Sequence, residues 1–106
     1  MRAYLSLRRR GDFTRVTRRG RRTASTFLTC FVSEGRGRSR LGVTVSGAVG
    51  GSVVRNRLRR RIKAIFDGYP LGVPPWRDVV VIARAGAGEL AFARLAEEVG
   101  RIFPPA

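Results

Sequence analysis

Hydrophobic and polar positions alternate along two stretches of the chain and recur with a helical period along others. From Thr23 to Ser33 (TASTFLTCFVS), Phe27, Thr29 and Phe31 fall on one face and Leu28, Cys30 and Val32 on the other, which predicts a strand with two usable faces. Residues 40–46 (RLGVTVS) predict a second strand in which Leu41, Val43 and Val45 face together. The polar Gly/Arg connector 35–40 allows these two strands to pair as an antiparallel hairpin. DVVVIARA (78–85) is a nearly unbroken apolar run and predicts a strand buried on both faces.

Helical periodicity marks three further segments. Asp12 is placed to cap a short first helix running to about Arg19, with Gly20 as its stop. Ser52 is placed to cap a central helix to about Phe66, ended by Gly68 and Pro70. At 100° per residue, Val54, Leu58, Ile62 and Ile65 form one stripe of that helix. After the loop YPLGVPPW and the third strand, Gly86 and Gly88 lead into a last helix with Phe92, Leu95, Val99 and Ile102 at helical spacing. The order α-β-β-α-β-α predicts the α+β class, a small α/β sandwich with helices packed on one sheet. A chain of 106 residues suits one domain over 1–106, with 1–11 expected to be a flexible basic leader.

Charge changes what this scaffold is for. Lys and Arg total 22 against 7 Asp and Glu, a formal charge of +15, which favours a polyanionic partner. A hydrophobic content of 43% is too high for a disordered basic tail, so a folded core carries the charge. Within 50–66, Arg55, Arg57, Arg59, Arg60, Arg61 and Lys63 are cationic and no carboxylate interrupts them. In a helix the pairs 57/61 and 59/63 repel, at about 0.2–0.5 kcal/mol each. Asn56, Arg59, Arg60 and Lys63 share the outer face, while Arg55, Arg57 and Arg61 flank the apolar stripe. A solvated basic face is the plain alternative, but the lack of balancing acids favours an anionic ligand. The last helix and its approach hold Glu89, Glu97 and Glu98, which predicts that this side faces away from the polyanion.

Self-sufficient catalysis is poorly supported. The chain has no His, the commonest general base and metal ligand. Cys30 is alone and sits in an apolar run, as a buried reduced thiol would. Asp12, Asp67 and Asp78 lie at turns or element ends and Glu34 in a loop, where caps and loop solvation explain them. No two-metal carboxylate cluster, P-loop or nucleophile motif is present. The glycine-rich segments 35–40 and 47–52 suit phosphate cradles or, more plainly, turns. The opening MRAYLSLRRR lacks a signal-peptide core and no segment is long and apolar enough to span a bilayer, so a cytoplasmic protein is expected. Phe13 and Val16 on the first helix, with Phe27 and Phe31 on the first strand, are either core or a partly open face on which unpaired bases can stack.

These residues together resemble a known family. RLGVTVSGAVGGSVVRNRLRRRIKAIF is similar to the most characteristic stretch of the bacterial ribonuclease P protein component, and VVRNRLRRRIK to that family's RNR signature. The likeness extends to RRRGDFTRVTRRGRR, STFLTCFV and DVVVIARAGAGELAFARLAEEV. It implies a left-handed βαβ crossover and a protein subunit that assists a catalytic RNA in removing 5′ leaders from precursor tRNA. It implies that hydrolysis belongs to the RNA and its Mg²⁺, with no metal held by the protein alone. The implied partners are ribonuclease P RNA and precursor tRNA, with neither membrane nor DNA. By position, Arg55, Asn56, Arg57, Arg59, Arg60, Arg61 and Lys63 fall in or beside the RNR region that contacts RNA. Phe13, Phe31 and, at the edge, Val16 match the leader cleft, with Phe27 as a further candidate. Gly47 and Ala48 stand where the family usually has basic residues, and Thr17 where a second aromatic is common. The rival reading is a ribosomal or RNA-chaperone-type binding protein; no helix-turn-helix pairing supports a DNA-binding one.

Overall fold

A computed structural model describes residues 3–103 of the chain. The elements follow as β1 (Leu5–Ser6), α1 (Arg10–Arg19), β2 (Arg21–Ala24), β3 (Leu28–Glu34), β4 (Arg40–Val45), α2 (Ser52–Phe66), β5 (Arg77–Ala83) and α3 (Phe92–Ile102), with a 3₁₀ turn at Ala87–Glu89. The strands form one mixed sheet in the order β1-β4-β5-β3-β2. This is the α+β class expected, with two more strands than the periodicity indicated.

The apolar run of β5 decides the layout. Val79, Val81 and Ala83 belong to the larger core, with Leu58, Ile62 and Phe66 of α2 and Leu95, Val99 and Ile102 of α3. Val80 lies in a smaller cluster with Leu7 and Val16 of α1, against which Phe13, Phe31 and Ile82 pack. A strand covered on both faces belongs at the centre of a sheet. β5 therefore lies parallel to β4 and antiparallel to β3. The predicted hairpin between the 23–33 and 40–46 segments does not form, because β5 comes between β3 and β4.

Other expectations are corrected by local chemistry. The strand expected over 23–33 breaks at Ser25, whose N–H donates to the Leu28 carbonyl at 2.8 Å and whose Oγ accepts the Leu28 N–H at 3.3 Å. That turn makes β2 and β3 an antiparallel pair. Most of the basic leader is not loose. Leu5 and Ser6 pair in parallel with β4, Tyr4 and Leu7 are buried, and the Tyr4 hydroxyl donates to the Lys63 carbonyl at 2.9 Å. Residues 1 and 2 lie outside the described residues. Asp12 is in the first turn of α1 rather than at its N-cap, which is Arg9, and Ser52 is the first residue of α2 after the N-cap Gly51. Gly20 does end α1, with an extended backbone.

Two carboxylates expected to face solvent point inward. Glu98 of α3 is fully buried: it accepts from Ser25 Oγ at 2.7 Å and pairs with Arg101 at 3.2 Å and Arg94 at 3.5 Å. The Ser25 hydrogen bond, helped by both guanidiniums and opposed by burial, holds its pKa below the usual carboxylate range. Asp78 of β5 is 1% exposed and meets Arg15 Nη2 at 2.7 Å and Arg40 at 2.8 and 3.0 Å. Arg40 also reaches Asp12 at 3.2 Å. The cluster ties α1 to β4 and β5 where the small core has only three buried side chains.

Burial alone pushes the Asp78 carboxyl up, but the hydrogen bonds and charges of Arg40 and Arg15 outweigh it and hold the group low. A carboxylate lowered on folding stabilises the fold above its unfolded pKa of about 3.9, and that contribution fades as pH falls toward the lower folded value. Asp78→Asn is expected to cost about 1.5–3 kcal/mol at neutral pH, the worth of charge-assisted hydrogen bonds. In urea titrations at successively lower pH the gap between wild type and variant should narrow. A constant gap would show that the Asp78 charge is not what holds α1.

Candidate nucleic-acid interface

α2 is amphipathic in the expected register. Leu58, Ile62 and Phe66 are buried, Val54 and Ile65 are half-buried, and Val53 is 78% exposed. Asn56, Arg59, Arg60 and Lys63, with Val53, line a shallow open groove along the outer face. Arg59 donates to the Asn56 side chain at 3.1 Å. The ion pairs described fall on Arg15, Arg40, Arg94 and Arg101, none of them in α2.

The flanking arginines do different work from the outer ones. Arg57 donates to the Gly88 carbonyl at 3.3 Å and Arg61 to the Leu90 carbonyl at 3.4 Å, so both brace the segment after β5. Arg55 Nε is buried without a hydrogen-bond partner among the described residues. The 3₁₀ turn approaches so closely that a Cβ at Gly88 would lie 2.6 Å from Val54 Cγ1, which leaves no room for any larger residue there.

The second expected surface lies on the opposite side of the sheet, where α1 covers only part of it. The Phe13 ring lies flush on β4, since a Cβ at Gly42 would lie 2.5 Å from its Cζ. Phe13 and Phe31 are both half-buried around the same small cluster. Three of the four expected cleft residues, Phe13, Val16 and Phe31, are thus brought together, two of them with ring surface left open. Val16 is fully buried and forms the floor beneath α1 rather than an edge. Phe27 sits in the β2–β3 turn and packs against the larger core beside Gly86, because the chain leaves the strand there and its alternation stops. Ile82 was not among the expected cleft residues, although alternation along β5 from Val80 places it on this face. Thr44, its partner across β4, is exposed beside it.

Neither surface carries a metal-binding donor set. Among the described residues, no three His, Cys, Asp or Glu side chains are grouped to hold an ion. Asp12 and Asp78 are engaged by arginines. Cys30 is buried and desolvation pushes its thiol up to about 12, so it stays protonated and unreactive.

The family model for Ribonuclease P matches residues 1–106. The chain belongs to the ribonuclease P protein family. The ribonuclease P protein component of Acidothermus cellulolyticus is 39% identical over 100 residues, covering 92% of this chain and 83% of that relative. That of Roseiflexus castenholzii is 42% identical over 105 residues, covering 96% and 84%. The solved ribonuclease P protein of Thermotoga maritima superposes with a TM-score of 0.76 at 28% identity, covering 89% of this chain and 90% of that one. The Staphylococcus aureus protein, at 24% identity and a TM-score of 0.81, shares the fold over 92% of this chain and 90% of its own. Ribonuclease P is the ribonucleoprotein endoribonuclease of tRNA 5′ maturation, and its protein component leaves catalysis to the RNA.

The two classes of arginine in α2 predict different phenotypes. Arg59→Ala and Arg60→Ala should each flatten the slope of log affinity for RNA against log salt by about 0.7–0.9 per lost phosphate contact. Their melting temperatures should hardly move. Arg57→Ala and Arg61→Ala should melt earlier, since each releases a carbonyl of the 86–90 segment. Unchanged salt slopes in the first pair would move the RNA surface off this face.

Proposed function

We propose that this chain is the subunit that binds ribonuclease P RNA through the outer face of α2 and receives the 5′ leader of precursor tRNA in the cleft between α1 and the sheet. The observation that carries the reading is the allocation of charge on α2. Among the described residues, its outer cations Arg59, Arg60 and Lys63 pair with no carboxylate, while Arg57 and Arg61 are anchored to carbonyls and keep the helix in place. A helix that tolerates this repulsion in isolation gains most from a phosphate backbone. Arg55 and Asn56 begin the same run.

The cleft supplies the complementary chemistry. Phe13 and Phe31 offer half-buried ring surface, and Ile82 extends it, which suits unpaired bases and offers little to a duplex. Thr17, where an aromatic is common in the family, turns its hydroxyl back to the Phe13 carbonyl at 2.9 Å and adds no stacking surface. In this reading Mg²⁺ is bound mainly by the RNA. The compartment is the cytoplasm, where precursor tRNA is processed. A ribosomal or RNA-chaperone role would use the same helix, but the family match along the whole chain disfavours it.

Mixing the protein with a ribonuclease P RNA and precursor tRNA at low Mg²⁺ should stimulate release of the 5′ leader. Rigorously RNA-free protein should cleave nothing. Within that assay Phe13→Ala or Phe31→Ala should weaken binding of leader-bearing precursor by about 1–3 kcal/mol per base unstacked. Mature tRNA should be almost indifferent. Equal losses for both RNAs, or early melting, would make these rings core packing.

A further inference from the structure

β2 is the outermost strand of the sheet, and its consecutive side chains point to opposite faces. Arg22 stands opposite Phe31 and so faces the cleft side, while Arg21 stands opposite Val32 and faces the other. On that far side two hollows, of about 470 and 300 Å³, share Arg21, Val32 and Arg77 and form one trough. Arg19 and Arg101 add two more guanidiniums, and Trp76 lines its wall. Glu34 is the sole carboxylate among the lining residues. Arg77 lies over the Phe103 ring at 5.3 Å, a cation–π contact at the side of the trough.

We propose that this trough is a second single-stranded RNA site, occupied by leader nucleotides farther from the cleavage site than those in the cleft. The assignment rests on the cleft reading above and extends the path of the same strand. Aromatic and apolar walls rimmed by guanidiniums are what an unpaired, sequence-tolerant strand requires. Arg19 and Arg21 are exposed and make no ion pair among the described residues, so both can turn toward a phosphate there. Continuity decides which strand occupies the trough. A leader leaving Phe31 on β3 meets Arg22 on the edge strand, crosses β2, and meets Arg21 on the far side. Short leaders end in the cleft; longer ones reach the trough.

The test is a ladder of precursor tRNAs whose leaders lengthen one nucleotide at a time, bound to the holoenzyme reconstituted with ribonuclease P RNA. Affinity should rise in two steps, the second with strong salt dependence. Trp76→Ala should remove about 5-fold or more of affinity from long leaders only. The surface double variant Arg19→Glu/Arg21→Glu should abolish the second step while melting normally, and it stands as the test if Trp76→Ala is unstable. Phe31→Ala reads the cleft separately, lowering affinity from the shortest leaders onward, so failure of the cleft and failure of the trough leave different traces. A single plateau once the cleft is filled, or equal losses of the charge-reversal variant on short and long leaders, would overturn the proposal.

Discussion

A strand of five successive apolar residues has to be covered on both faces, and every other element of the molecule is arranged around that requirement. Of Val79 to Ala83, all but the half-buried Ile82 are buried. One side takes α2 and α3 and becomes the larger core; the other takes α1 and a much smaller one. The unequal cover has a functional result. Where two helices close the sheet, the surface above them is free to carry charge. Where a single short helix lies, part of the sheet stays open and presents rings.

Few acids are available to manage the cations, and their placement is selective. Asp12 and Asp78 join Arg15 and Arg40 between α1 and the sheet, and Glu98 holds Arg94 and Arg101 on α3. Each of these contacts does structural work in partly or wholly buried surroundings, where a pair is least screened by solvent. The outer face of α2 receives none of them. Charge is thus neutralised at buried carboxylates between α1 and the sheet and within α3, and left bare on the outer face of α2. The same rule explains why Arg57 and Arg61, near the apolar stripe, find backbone carbonyls while Arg59 and Arg60 do not.

Much of this was legible because periodicity reports burial directly. The α2 stripe, the two-sided burial of β5 and the basic outer face all follow from spacing and charge. Pairing partners are a different matter. Nothing in the 23–33 alternation marks Ser25 as a turn, since its hydrogen bonds to Leu28 form only when the chain doubles back. Leu5 and Ser6 are too short a segment to announce a strand, and only the free edge of β4 makes them one. Glu98 reads as a solvent-facing acid on its helix because its partner Ser25 is 73 residues away in sequence. Phe31 and Phe27 look equivalent by alternation, yet the turn between β2 and β3 sends one to each side.

The central strand is also the last strand in chain order, and this bears on how the protein comes into being. β1, β2, β3 and β4 emerge from the ribosome before β5, and neither β3 nor β4 has its main partner until β5 arrives. The hairpin of β2 and β3 has little to rest on before then, because a lone pair of strands is marginal in water. The sheet therefore closes late, by long-range pairing of the kind that slows folding. In the last part of that interval, between the emergence of α2 and that of β5, the most basic helix of the molecule is outside the ribosome and without its core. A growing chain in that state is a polycation among ribosomal RNA, so the order of synthesis sets a hazard of premature capture that the finished fold no longer shows.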